Sequence, residues 1–205
     1  MTRINTRVRW YRNPVLIGGT IRLSNYISTT HIRDLAQAPY VPRSLSTRCP
    51  ALKNISFPSR GIKVAGHLHI PNDTSTTKRS AIIIGHPMTG VKDRSPDAYA
   101  SRLAEKGFHV LTFDAAYQGE SEGSPHFLED PYQRAWDNSA ALDYLTTLKE
   151  IDPERIGIMG IRASGGYTSF AAQTDPRMKA VAMVSGADAG SVFRDVLPTG
   201  STPRD

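Results

Sequence analysis

The stretch Arg155-Ile156-Gly157-Ile158-Met159-Gly160-Ile161-Arg162-Ala163-Ser164-Gly165-Gly166 decides how the chain is read. Its apolar start predicts a buried strand over residues 155–159, and its continuation predicts a helix over residues 165–172. A strand that turns into a helix this abruptly needs small residues two before and two after the tip, because larger side chains collide there. Gly160 and Ser164 meet that demand around Arg162, which places Arg162 at the tip of an elbow of the kind that presents a catalytic nucleophile. A permanently protonated guanidinium cannot attack a carbonyl. Ser164 is the nearest hydroxyl, yet taking it as the tip would put the long Arg162 side chain where the turn is most crowded. Ser164 is therefore a weak alternative nucleophile.

Working outward from the elbow, strand and helix signals alternate. Residues 54–58 and 62–70 read as two extended strands joined by a turn at Arg60-Gly61. The β-branched run Ser80-Ala81-Ile82-Ile83-Ile84-Gly85 has the character of a strand buried on both faces. Ser95 and Pro96 suggest an N-cap and first position of a helix ending at Gly107, and residues 108–113 return to the sheet. A longer helix is expected over residues 132–149 with Trp136, Ala140, Leu142 and Leu145 inward, and a last strand over residues 179–184. This alternation predicts an α/β fold on a mostly parallel sheet.

The formal charge of +6 over 205 residues invites a nucleic-acid partner until it is located. Eight of the 25 basic residues and one of the 19 acidic ones fall in residues 1–50; the remaining 17 and 18 leave the body at −1. The basicity belongs to a leader, so no nucleic-acid partner is expected. No apolar run approaches a membrane span, so no membrane partner is expected either. The single cysteine, Cys49, excludes an internal disulfide framework and fits a reducing compartment, and the sequence lacks metal-ligand spacing, so no metal site is expected. Residues 1–50 read as a disordered Arg-rich leader whose composition also suits a mitochondrial address or a mispredicted start. The expected location is cytoplasmic, with mitochondria as the alternative. The domain is expected over residues 51–190 and a frayed tail over residues 191–205.

Three motifs in order, His86-Pro87-Met88-Thr89-Gly90-Val91-Lys92, Phe113-Asp114-Ala115-Ala116-Tyr117-Gln118-Gly119-Glu120-Ser121 and Gly160-Ile161-Arg162-Ala163-Ser164-Gly165-Gly166-Tyr167, resemble a branch of the α/β-hydrolases. That branch includes dienelactone-hydrolase-like proteins and the fungal polyketide transferases and thiohydrolases of secondary-metabolite and toxin biosynthesis. The resemblance covers residues 52–194. It implies an elbow nucleophile acting on an acyl ester or thioester with no cofactor, and an oxyanion hole formed by backbone amides. By resemblance one donor comes from Ala163 and the other from near Met88 or Thr89. His86 is expected to shape that loop by local hydrogen bonds, and Asp114 and Tyr117 to hold loops at the carboxyl end of a neighbouring strand, where ligands of such sheets bind.

Two departures accompany the match. The family places cysteine or serine where Arg162 stands. Its triad continues with an acid and a histidine on later strands, whereas the last histidine here is His126, so the expectation is a hydrolase domain truncated before its carboxy-terminal strands. On that expectation the strand at 179–184 is an uncovered edge through which the chain could self-associate. Two functions follow: an acyl hydrolase or transferase, or a catalytically inactive relative that keeps the fold as a binding module.

Overall fold

The structure, a computed structural model, describes residues 8–11, 50–72 and 78–191. Its strands are β1 (Val8–Tyr11), β2 (Ala51–Ser59), β3 (Ile62–Ile70), β4 (Arg79–Gly85), β5 (His109–Phe113), β6 (Ile151–Ile161) and β7 (Ala180–Val184). Among the described residues they form one seven-stranded sheet in the order β1-β7-β6-β4-β5-β3-β2. The four central strands β4 to β7 run parallel, and β1, β2 and β3 pair antiparallel at the two sides. The helices are α1 (Ser95–Glu105), α2 (Pro131–Thr146), α3 (Ser164–Thr174) and the short α4 (Ala189–Ser191).

Local chemistry accounts for most boundaries. Arg60 and Gly61 both have positive φ, 48° and 83°, the combination that lets a two-residue turn follow the twist of the β2–β3 hairpin. Asp130 caps α2 by accepting hydrogen bonds from the amides of Tyr132 and Gln133, with Pro131 at the first helical position. The β-branched run of β4 splits by alternation. Ile83 joins Leu111, Ile156, Ile158, Leu142 and Leu145 on the α2 face, while Ile82 and Ile84 join Val110, Met159 and Leu103 on the α1 face. Each such fully buried aliphatic side chain contributes about 1.5–3 kcal/mol, so the sheet is held from both sides.

Four expectations are corrected. The edge of β7 is not uncovered, because β1 pairs with it from Val8↔Val184 to Tyr11↔Val181. Trp136 does not point inward; it is 55% exposed beneath the Arg60 guanidinium, and α2 turns Ala135, Asn138, Leu142 and Leu145 to the interior. Buried polar side chains at Gln133, Arg134 and Asp137 obscured that period. The strand expected at 155–159 runs from Ile151 to Ile161, since a register shift against β4 sets the four residues from Asp152 to Arg155 opposite Ser80 alone. α1 begins at Ser95 with Arg94, not Ser95, in the cap position and no side-chain cap. The rest of the leader and the tail after 191 lie outside the described residues.

Candidate active site

The loops after β4, β5, β6 and β7 gather at the carboxyl ends of the parallel strands, and the elbow stands among them. Arg162 is exposed at the tip with φ of 55°, a left-handed conformation that costs a non-glycine residue about 1–2 kcal/mol. The backbone around it is locked. The Arg162 amide donates to the Val184 carbonyl at 2.9 Å, and the Arg162 carbonyl accepts from Gly165 at 2.8 Å and Ala187 at 3.0 Å. Gly160 is required two residues before the tip, because a Cβ there would lie 2.2 Å from the Ser164 carbonyl oxygen.

Ser164 is 3% exposed in the first turn of α3. Its hydroxyl donates to the His86 carbonyl and accepts from Arg134 Nη2 at 3.2 Å. Ser164 thus ties the elbow to the loop after β4 and has no free path to a substrate. In that loop, Gly90 donates to the Pro87 carbonyl at 2.9 Å and closes a turn with Thr89 at φ of 58°. Met88 packs against Ala163, Tyr167 and Ala189, which brings the turn to the elbow. The Ala163 amide stands at the N-terminus of α3, where amides lack intrahelical acceptors and attract negative charge. Met88, Thr89 and Ala163 are therefore neighbours.

Beneath this surface lies a polar layer. His86 is completely buried; its Nδ1–H donates to the Pro87 carbonyl at 2.7 Å, and its Nε2 accepts from the Ala115 amide at 3.0 Å and Arg134 Nη1 at 2.7 Å. These partners require the neutral ring. Burial and then the Arg134 charge lower its pKa from 6.5 to about 3. Arg134 also donates to the His86 carbonyl at 2.8 Å, pairs with Glu129 at 3.3 Å and lies 5.4 Å over the Tyr167 ring. Burial and then the Glu129 carboxylate push the Tyr167 phenol up to about 12. Arg134 was missed in the sequence, although it shares one helical face with Asn138, Ala141 and Leu145.

The neutral buried His86 sets a pH dependence. Between pH 6.5 and about 3 the unfolded chain takes up a proton that the folded ring refuses, so stability falls as pH drops through that window. The slope approaches about 1.4 kcal/mol per pH unit. Asp97 and Asp175, held below their ordinary 3.8, contribute losses only at lower pH. Urea unfolding at pH 7 and pH 4.5 should show the native chain losing about 2 kcal/mol more than His86→Gln. Equal losses would remove His86 as the cause.

Asp114 and Tyr117 occupy the loop after β5. The Asp114 carboxylate is 1% exposed and accepts from the Lys92 amide at 2.7 Å, Lys92 Nζ at 2.9 Å and the Glu120 amide at 2.9 Å. Tyr117 has φ of 70°; its amide donates to the Glu122 carbonyl and its carbonyl accepts from Phe127. Asp137 steadies the same loop by accepting from the Ala116 amide, Ser59 and Gln133. Beside the elbow an open depression of about 580 Å³ is lined by Tyr132, Tyr167, Phe170 and Met183 among others. Among the described residues no helix is long and apolar enough to cross a membrane.

Residues 51–200 match the family model described as PET hydrolase-like. The Escherichia coli K12 protein YcjY is 50% identical over 125 residues, 61% of this chain and 41% of that protein. The thiohydrolase aneE of Aspergillus aculeatus is 32% identical over 138 residues, 67% of this chain and 42% of the relative. A solved structure, the hypothetical protein PA2218 from Pseudomonas aeruginosa, superposes with a TM-score of 0.72 at 35% identity, covering 76% of this chain and 49% of that one. The matched stretch thus spans less than half the length of each.

Proposed function

We infer the function from one premise, that the chain belongs to the PET hydrolase-like family of α/β-hydrolases. On that premise the elbow is an acyl site for an ester or thioester that holds the ligand's carbonyl without attacking it. The observation that carries this reading is Arg162, an exposed arginine held at the left-handed tip where the attacking atom belongs. Its guanidinium has no lone pair to give at any accessible pH, whatever residues complete the site. A carbonyl-binding side is supported by the Ala163 amide at a helix N-terminus and by Met88, from the turn after β4, packed against Ala163. The similarity to a thiohydrolase supports an acyl ligand, and the apolar rings beside the elbow offer its chain a surface.

A displaced nucleophile at Ser164 is the competing reading, and its buried, doubly engaged hydroxyl argues against it. Hydrolysis of p-nitrophenyl esters and acyl thioesters by the native chain and Ser164→Ala separates the two. Neither protein should exceed the uncatalysed rate, while a ketone analogue of the thioester should still bind the native chain saturably. Robust turnover that vanishes in Ser164→Ala would overturn the proposal and make Ser164 the nucleophile.

A further inference from the structure

β3 carries two histidines on the face opposite its Val64 and Leu68 core positions. His67 and His69 alternate with Leu68 and turn toward α1, whose first turn supplies Asp97. His67 Nδ1 lies 2.9 Å from one Asp97 carboxylate oxygen and His69 Nε2 lies 3.1 Å from the other. One ligating atom from each residue falls within 4.8 Å of the other two. Asp93 adds a fourth oxygen 3.6 Å from His67 Nδ1. Ligands around a tetrahedral zinc at about 2.0–2.2 Å stand about 3.4 Å apart, so each histidine nitrogen would move from its Asp97 oxygen by only a few tenths of an ångström, and the two nitrogens themselves lie within 4.8 Å of each other.

We propose that His67, His69 and Asp97, with Asp93 in the fourth position, bind one divalent first-row transition ion of the zinc type. Two imidazoles and a carboxylate form a donor set that suits such ions and not calcium or magnesium, which prefer oxygen. The surroundings are built for it. His69 is nearly inaccessible, and Thr112, the register partner of His67 on β5, donates its hydroxyl to Asp97 at 2.7 Å and orients the carboxylate. In the sheet, β4 and β5 separate β3 from β6 and its elbow, and the site joins the hairpin to the segment that follows the Pro87–Gly90 turn. Spacing along the chain could not reveal it, because Asp97 is 28 residues from His69 and reaches it only through the fold.

Titration of the full chain with zinc chloride, followed by calorimetry and metal analysis after dialysis, tests the proposal. One zinc per chain is expected, and cobalt(II) should give the visible absorption of a nitrogen- and oxygen-ligated ion. His67→Ala and His69→Ala should abolish both signals while retaining the native circular dichroism. Thr112→Val leaves every ligand in place and should weaken binding by about 10–100-fold, which keeps the test informative if a histidine variant does not fold. His126→Ala and Cys49→Ser should bind as the native chain does. Absence of stoichiometric zinc, binding unchanged in His67→Ala and His69→Ala, or binding lost in His126→Ala or Cys49→Ser would each overturn the proposal.

Discussion

Lys92→Met should lower the unfolding free energy by about 3 kcal/mol, the lower end of what breaking a buried ion pair costs. Lys92 and Asp114 are each 1% exposed, and Lys92 Nζ sits 2.9 Å from Asp114 and 2.7 Å from Glu120. Burial on its own would lower the lysine's pKa, but the hydrogen bonds to Glu120 and Asp114 reverse this and raise it. Methionine keeps the length of the stem and removes the charge, which leaves the Asp114 carboxylate buried with only the Lys92 and Glu120 amides as donors. Those two amides are why the low end of the range applies. Lys92→Met/Asp114→Asn, with no charge left to strand, should recover more than half of the loss. Glu120 is 74% exposed, so Glu120→Ala should cost less than about 1 kcal/mol. Guanidinium unfolding of the four proteins measures this, and a single-variant loss below about 1 kcal/mol would show that water reaches the pair.

The same residues show what could be read before the fold was known. The parallel strands were legible because runs such as Ile82-Ile83-Ile84 and Val110-Leu111 are apolar on both faces, and two-faced burial needs no knowledge of partners. The elbow was legible because its demand for small residues is local. Three things were not local. The pairing of β1 with β7 joins segments about 170 residues apart and follows no periodic pattern. α2 hides its inward face because Gln133, Arg134 and Asp137 are buried through hydrogen bonds to distant partners such as Ser59, His86 and Ala116. Ser164 looks like a spare hydroxyl in the sequence and becomes a tether only once the His86 carbonyl and Arg134 reach it. Polar residues mislead where their partners lie far along the chain; strand aliphatics are legible because their burial needs no partner, whereas Trp136 on α2 reads as inward only while the buried polar side chains beside it are unseen.

Gly160→Ala should be the most damaging single-methyl addition in the described sheet, and Gly157→Ala, three residues earlier in the same strand, should be nearly silent. At position 160 the new Cβ would stand 2.2 Å from the Ser164 carbonyl oxygen, 2.4 Å from its carbon and 2.5 Å from the Thr168 hydroxyl. Two of these are backbone atoms of α3, so no rotamer change relieves them and the helix itself must retreat from β6. Overpacking of this kind costs about 1–3 kcal/mol where side chains can give way, and with backbone in the path about 3 kcal/mol or more is expected. At position 157 the nearest atoms are Ala180 O at 3.4 Å and Ala180 Cβ at 3.5 Å, ordinary contacts, and replacing a strand glycine gains about 0.5 kcal/mol in chain entropy. Retreat of α3 would also stretch the hydrogen bonds from Gly165 and Ala187 to the Arg162 carbonyl, which hold the tip at its positive φ. Gly160→Ala should therefore weaken binding of a thioester ketone analogue as well as stability, whereas Gly157→Ala should leave both intact. Urea midpoints and analogue titrations on the two variants decide the matter. Equal behaviour at 160 and 157 would mean that the elbow tolerates a looser turn than its geometry demands.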